Sequence, residues 1–171
     1  MTKLQQGNLT VREFMDSDKV ALANLCNNQK IHDNLRDIIP FPYLEKDAEY
    51  FINLCGNERV KTNFAIEFEG EFAGVIGFGL QTDVYRLSAE IGYWIGEPFW
   101  GKGIATRAVK LMVEYGFSHL GLVRIYSSVF DYNKASQRVM EKAGFQLEGI
   151  FRKAIFKNGK ICDEYRYAIL K

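Results

Sequence analysis

The chain has 171 residues and a formal net charge of +1, from 22 Lys and Arg against 21 Asp and Glu. A hydrophobic content of 47% with 14% aromatics predicts one globular domain with a substantial core and argues against disorder. The near-neutral charge argues against a general electrostatic nucleic-acid binder. No apolar run reaches the ~18 residues of a membrane span, and the opening MTKLQQGNLTV lacks the apolar core of a signal peptide, so a soluble, cytoplasmic chain is expected.

Residues 9–14 (LTVREF) alternate as a strand does. A helix is predicted next, in MDSDKVALANLCNN, with Asp16 or Ser17 as N-cap and apolar positions at Val20, Leu22 and Leu25. QKIHDNLRD reads as a second short helix. It is broken by IIPFPY, because each proline disfavours helix at the residue before it. LEKDAEYFINLCGN reads as a third helix, ending near Gly56.

The period then changes. Residues 62–81 are apolar and β-branched, with a hairpin turn at Glu69–Glu71. SAEIGYWIG is a further strand with Gly92 inside it, where a bulge or a close backbone approach is expected. After a glycine-containing loop and a helix comes a strand in LVRIYSSVF. Residues 133–144 form a helix with Asn133 as N-cap and a glycine at the C-terminal end. Two last strands, FQLEGIFRKAIF and KICDEYRYAIL, meet at Asn158-Gly159, a type I′ hairpin signal. The predicted order, β-α-α-α-β-β-β-α-β-α-β-β, gives an α/β fold with a mixed sheet flanked by helices.

Cys26, Cys55 and Cys162 are odd in number and widely spaced, with no CxxC pair, so neither a disulfide framework nor a zinc site is signalled and no metal is expected. Buried, reduced thiols are the reading. His32 and His119 are far apart, and a structural role is expected for both. His119 falls near the end of the helix after the glycine loop, where positive charge suits the macrodipole.

The segment EPFWGKGIATRAVKLMVEYGF, residues 97–117, concentrates the functional signal. Gly101 and Gly103 permit a tight turn. Ile104, Ala108, Leu111, Met112 and Tyr115 then recur at helical spacing. A strand, a glycine loop and a helix N-terminus make a phosphate cradle, because the first amides of a helix have no partner within it and the dipole favours an anion there. Lys102 and Arg107 are placed to add charge, and Ala105 is small enough for close approach. The stretch is neither a P-loop nor a dinucleotide fingerprint. Taken alone it also reads as an ordinary turn before a helix.

Read together, SAEIGYWIGEPFWGKGIATRAVKLMVEYGF and VRIYSSVFDYNKASQRVMEKAGFQLEGIFR resemble the GNAT superfamily of acyl-CoA-dependent N-acetyltransferases, and within it the RimJ/RimL group that acetylates the N-termini of ribosomal proteins. The resemblance runs from about Leu9 to the last residue and is densest between Glu90 and Arg152. The signature Gln/Arg-x-x-Gly-x-Gly/Ala falls on Trp100-Gly101-Lys102-Gly103-Ile104-Ala105, with Trp100 in place of the usual polar residue.

The resemblance implies one GNAT domain over residues 1–171, a mostly antiparallel sheet with a splayed, V-shaped cleft, and acetyl-CoA as co-substrate. Trp100, Gly101, Lys102, Gly103, Ile104, Ala105 and Thr106 are expected around the pyrophosphate. The backbone of Tyr93, Trp94 and Ile95 is expected along the pantetheine, where one N–H would polarise the thioester carbonyl. Asn133 matches the asparagine that contacts the cofactor arm and also reads as a plain N-cap.

The implied chemistry is direct attack of an amine on the thioester in a ternary complex. A free α-amino group has a pKa near ~8 and a lysine-like amine ~10.4. At about pH 7.5 the second therefore costs roughly 3–4 kcal/mol more to deprotonate. An N-terminal substrate needs only a weak base or a water chain. Glu90 is the first candidate base, two residues before Gly92. Glu148, Asp163 and Glu164 come after it, although Glu148 is also expected to order a turn or pair with Arg152. Ser136, one turn from Asn133, is the candidate donor to the leaving thiolate; it also reads as an exposed helical serine, and Glu90 as a solvent-facing or salt-bridged strand glutamate.

The acceptor is expected on the first helices and residues 33–44, with Asp33, Asp37, Phe41, Tyr43 and Glu45 as candidate lining or as ordinary packing. A protein N-terminus is the first acceptor class. Polyamines, amino acids and aminoglycosides are the second, and an acyl-CoA-binding module without turnover is the lesser reading. The sequence leaves monomer and homodimer open.

Overall fold

The computed structural model describes residues 2–171. Its strands are β1 (Lys3–Gln6), β2 (Leu9–Arg12), β3 (Asn63–Phe68), β4 (Glu71–Leu80), β5 (Ser88–Ile95), β6 (Arg124–Phe130), β7 (Gln146–Lys157) and β8 (Lys160–Leu170). Its helices are α1 (Asp18–Cys26), α2 (Gln29–His32), α3 (Glu45–Gly56), α4 (Ile104–Ser118) and α5 (Lys134–Lys142). The strands form one mixed sheet in the order β1-β2-β3-β4-β5-β6-β8-β7. By its internal contacts the chain divides into two compact units, Met1–Gly77 with Tyr93–Leu111, and Phe78–Gly92 with Met112–Lys171.

In the first unit β1, β2, β3 and β4 pair antiparallel in sequence. Strand β1 is absent from the sequence reading. Its four residues, KLQQ, are largely exposed and carry a single apolar side chain, Leu4, so no alternation marks them. Pairing with β2 through the positive-φ turn at Gly7 makes them a strand. Against this sheet pack Leu22, Ala23 and Cys26 of α1 and Ala48 and Ile52 of α3, together with Tyr43, Ala65, Phe72 and Val75. The second predicted helix shrinks to the single turn of α2, capped by the Asn28 side chain accepting from the Lys30 amide.

The start of α1 is built differently from the expected cap. Ser17 makes no capping bond. Instead the Asp18 carboxylate, 4% exposed, accepts from the Met15 amide at 2.8 Å and from both terminal nitrogens of Arg12 at 2.8 and 2.9 Å. Arg12 Nε donates to Glu67 at 2.7 Å. These carboxylates hold the guanidinium pKa above its ordinary value, against the opposing effect of burial.

In the second unit β5 and β6 run parallel, with Ser88, Ala89 and Glu90 opposite Arg124, Ile125 and Tyr126. That ladder ends at Glu90 and Tyr126, although β5 continues to Ile95 and β6 to Phe130. β6 pairs antiparallel with β8, and β8 with β7. Asn158 (φ 50°) and Gly159 (φ 75°) close the last hairpin as a type I′ turn. Gly116 of α4 lies against Ile125, Phe78 and Leu122, where even a methyl group would come within 2.9 Å of Ile125.

All three cysteines are free and buried. Burial pushes the Cys26 and Cys55 thiols up to about 12, which leaves them unreactive at neutral pH. His119 follows α4 directly, stacks on Tyr115 and shares a 2.8 Å contact with the Ser118 hydroxyl. No helix among the described residues is long and apolar enough to cross a membrane.

Candidate active site

In the first unit β5 ends at Ile95, a 3₁₀ turn occupies Glu97–Phe99, and α4 begins at Ile104. Strand, glycine loop and helix N-terminus therefore follow one another as the sequence predicts. Gly101 and Gly103 adopt φ of +76° and +71°, the left-handed region where a side chain is strained. Neither is crowded, since a Cβ on either would meet nothing within 4 Å. These glycines serve backbone direction and leave open space beside the loop. The first helical bond runs from the Arg107 amide to the Gly103 carbonyl. The amides of Ile104, Ala105 and Thr106 precede that ladder and supply the positive end of the helix.

Two side chains fix this loop. The Trp100 indole N–H donates to the Ile95 carbonyl at 2.7 Å, which ties the loop to the last residue of β5. The tryptophan at the departed signature position is thus a structural tether. Trp100→Phe keeps the ring and removes the donor, so a loss of about 1 kcal/mol is expected in thermal denaturation, with a weaker acetyl-CoA KM. An unchanged KM would leave the tether without a part in donor binding.

Arg107 is not offered to an anion in the way its position suggests. Its guanidinium donates to the Gln6 carbonyl, to Gln6 Oε1 and to Asn8 Oδ1, and Asn8 in turn donates to Glu69. The first hairpin is clamped to the first turn of α4. Lys102 is exposed, its ammonium 5.7 and 5.5 Å from the ring centres of Phe68 and Phe99.

The close backbone approach expected at Gly92 occurs at Gly74. A Cβ at Gly74 would lie 2.2 Å from the Trp94 carbonyl oxygen, whereas Gly92 is exposed and has open space. The Trp94 side chain packs into the helix-facing core and meets Phe72 edge-on at 6.4 Å. Of the three expected pantetheine residues, Ile95 thus has its carbonyl engaged by Trp100, and the Trp94 carbonyl lies close against Gly74.

In the second unit the Asn133 side chain accepts from the Ser136 amide at 3.0 Å and caps α5. The pair shares one helical turn, as the spacing requires. Glu90 is half-buried beside Gly79 on the sheet. The three later candidate bases are all held by arginines. Glu148 pairs with Arg124, not with Arg152 as expected. Arg152 pairs with Asp163 at 2.6 Å, and Arg166 with Glu164 at 2.6 Å. Hydrogen bonds from Arg124 hold Glu148 below its ordinary pKa. Those from the Lys153 amide and Arg152 do the same for Asp163. A carboxylate so stabilised is a poor proton acceptor.

The expected acceptor segment separates into packing and surface. Tyr43 is core, 6% exposed. Phe41 is exposed and stacks on His32 at 4.7 Å, and Asp33 accepts from Gln29. The cleft in this unit, about 370 Å³, is lined by Asn24, Leu25, Asn27, Asn28, Glu97 and Pro98. Glu97 there accepts from Asn28 at 2.6 Å and from Lys30, which lowers its pKa. Sequence spacing gave no sign of this network, because its members are some seventy positions apart.

An α/β chain with this eight-stranded mixed sheet and a glycine loop opening a helix matches the fold of GNAT-family acetyltransferases. A family model described as the acetyltransferase (GNAT) domain matches residues 8–146, and the chain belongs to that family of N-acetyltransferases. It is 31% identical to the uncharacterized N-acetyltransferase p20 of Bacillus licheniformis, over all of this chain and 97% of that one. The structure of spermidine N-acetyltransferase from Vibrio cholerae in complex with CoA and spermine aligns with a TM-score of 0.81 and 26% identity, covering 96% of each chain. RimL, a ribosomal L7/L12 α-N-protein acetyltransferase in complex with coenzyme A, aligns at 0.87 over 99% of this chain and 98% of that one. Its 23% identity speaks for the fold alone.

Proposed function

We propose that the whole chain, residues 1–171, acts as one domain that transfers the acetyl group of acetyl-CoA to a primary amine. A protein N-terminal α-amino group is the first acceptor class. The observation that carries the donor half is the exposed loop with two left-handed glycines opening α4. Coenzyme A bound by the Vibrio cholerae neighbour supports it. The amides from Gly101 to Thr106 would hold the pyrophosphate, with Lys102 adding charge. Tyr93 and its neighbours on β5 would lie along the pantetheine and polarise the thioester carbonyl. Asn133 and Ser136 would serve the cofactor arm and the leaving thiolate.

The amine first gives up a proton, to Glu90 directly or through water. Its nitrogen then forms a bond to the acetyl carbon as the carbon–sulfur bond breaks, and the thiolate leaves to be protonated. Glu90 is the proposed acceptor of that proton because it lies on β5, two residues before Gly92 and three before Tyr93. An α-amine, already partly neutral near pH 7.5, needs the least help in losing its proton. Small amines are the second class, supported by the spermidine enzyme among the neighbours.

Coenzyme A release should be followed with peptides bearing free N-termini, polyamines, amino acids and aminoglycosides. Turnover with peptides, lowered roughly tenfold to a hundredfold by Glu90→Gln and rescued at higher pH, is the expected result. Turnover with polyamines alone would move the acceptor to the second class. Tight coenzyme A binding without any acetylation would favour a non-catalytic module.

A further inference from the structure

One face of the sheet in the second unit carries an ordered row of charge and rings. Glu90 lies opposite Tyr126 in the parallel ladder, so both side chains leave the same face. The other face is that of Ile125, against α4. Two guanidiniums flank the Tyr126 ring, Arg124 at 5.7 Å and Arg166 at 5.4 Å from its centre. Arg166 also lies 4.2 Å from the centre of the Phe151 ring.

Both arginines are held in place. Arg124 gives its two terminal nitrogens to the two oxygens of Glu148. Arg166 gives Nε and Nη2 to one oxygen of Glu164, at 3.0 and 2.6 Å. An arginine carries five N–H donors in a planar fork, so Arg166 retains donor capacity beyond that one oxygen. Its plane is fixed by two rings.

Across β5, β6, β8 and β7 the order is therefore carboxylate, ring, guanidinium, ring: Glu90, Tyr126, Arg166, Phe151. Strands in a sheet lie ~4.8 Å apart and rise ~3.4 Å per residue, so two strand spacings and the two-residue offset of Arg166 from Ala168, which faces Tyr126, set Glu90 and Arg166 about 12 Å apart. An acceptor whose amine is deprotonated at Glu90 and whose body follows Tyr126 brings its far end to Arg166.

We infer that Arg166, oriented by Glu164, Tyr126 and Phe151, is an acceptor-recognition residue that takes a carboxylate at the far end of the acceptor. This rests on the reading that the chain acetylates a primary amine. It narrows the acceptor to a bipolar molecule, with an amine at one end, a carboxylate within about 12 Å of it and an apolar stretch between them. Peptides with an acidic residue near the N-terminus and ω-amino acids belong to this class. A polyamine does not, because its second ammonium would meet a fixed guanidinium.

The test uses two acceptors with the same amine and chain length but opposite far-end charge, ε-aminocaproate and hexamethylenediamine. In the wild type the kcat/KM for ε-aminocaproate should exceed that for the diamine by roughly tenfold or more, mainly through KM. Arg166→Gln should bring the two within about threefold of each other, and Arg166→Lys should keep part of the preference. Coenzyme A affinity, measured on the same variants, reports that they are folded. Equal or better use of the diamine by the wild type would overturn the inference while leaving acetyl transfer intact. An acceptor ratio unchanged in Arg166→Gln would also overturn it. Failure of both amines and of every peptide would instead remove the amine-acetylation reading, and this inference with it.

Discussion

Gly103→Val is expected to raise the KM for acetyl-CoA by about tenfold to a hundredfold, with only a small fall in thermal stability. The position has room, since a Cβ there would meet nothing within 4 Å. The penalty arises in the backbone. At φ +71° a β-branched residue is strained by roughly 1–2 kcal/mol and relaxes by turning the peptide away. The amides that open α4 then lose their common direction. Each hydrogen bond to a charged group contributes ~1.5–3 kcal/mol, and losing one or two of them accounts for the expected KM. Steady-state kinetics, with direct titration by coenzyme A, provide the check. A KM within about twofold of wild type, where one such bond alone predicts tenfold, would show that the donor is held elsewhere.

Arg12→Met is expected to have the largest effect on stability, a loss of about 3–5 kcal/mol. Arg12 is 8% and Asp18 4% exposed, and the pair is joined by two parallel hydrogen bonds. Removing the cation leaves a carboxylate out of water with only the Met15 amide to support it. Glu67 also loses its partner. Denaturant titration measures the loss. The double variant Arg12→Met with Asp18→Leu should recover a large part of it, because replacing both charges by apolar groups removes the uncompensated ion. A single-variant loss under about 1 kcal/mol would place this pair with ordinary surface ion pairs.

The parts of the fold that were legible in the sequence are those set by local backbone chemistry. Asn158-Gly159 can hardly be anything but a tight hairpin, and Asn133 followed by an amphipathic run announces α5. The glycine loop announces itself because its conformation excludes other residues. What escaped depends on partners distant in sequence. β1 is a strand only because β2 lies beside it. Ser17 and Asp16 read as caps, while the residue that anchors α1 is Asp18, and its anchor is Arg12. Gly92 drew attention as a strand glycine, yet Gly74 is the one pressed against a neighbouring carbonyl. At the candidate site, the family resemblance put forward Glu90, Asn133 and Ser136, and the spacing set only Asn133 and Ser136 one turn apart. They did not give the arginines that hold Glu148, Asp163 and Glu164, because those pairings are set by sheet register and the bulges of β7.

The Arg107 clamp also bears on how the molecule matures on the ribosome. Gln6 leaves first, and its partner follows 101 positions later. Until then the first hairpin has no hold on the start of α4, and the glycine loop is braced through Trp100 but not through Arg107. Contacts so far apart in sequence form late, since a long loop of chain must close before they contribute. The clamp therefore forms only after the first hairpin and α1 to α3 have all been made. A truncated product ending before α4 would keep most of the first unit's residues and lose the helix start proposed to hold the cofactor.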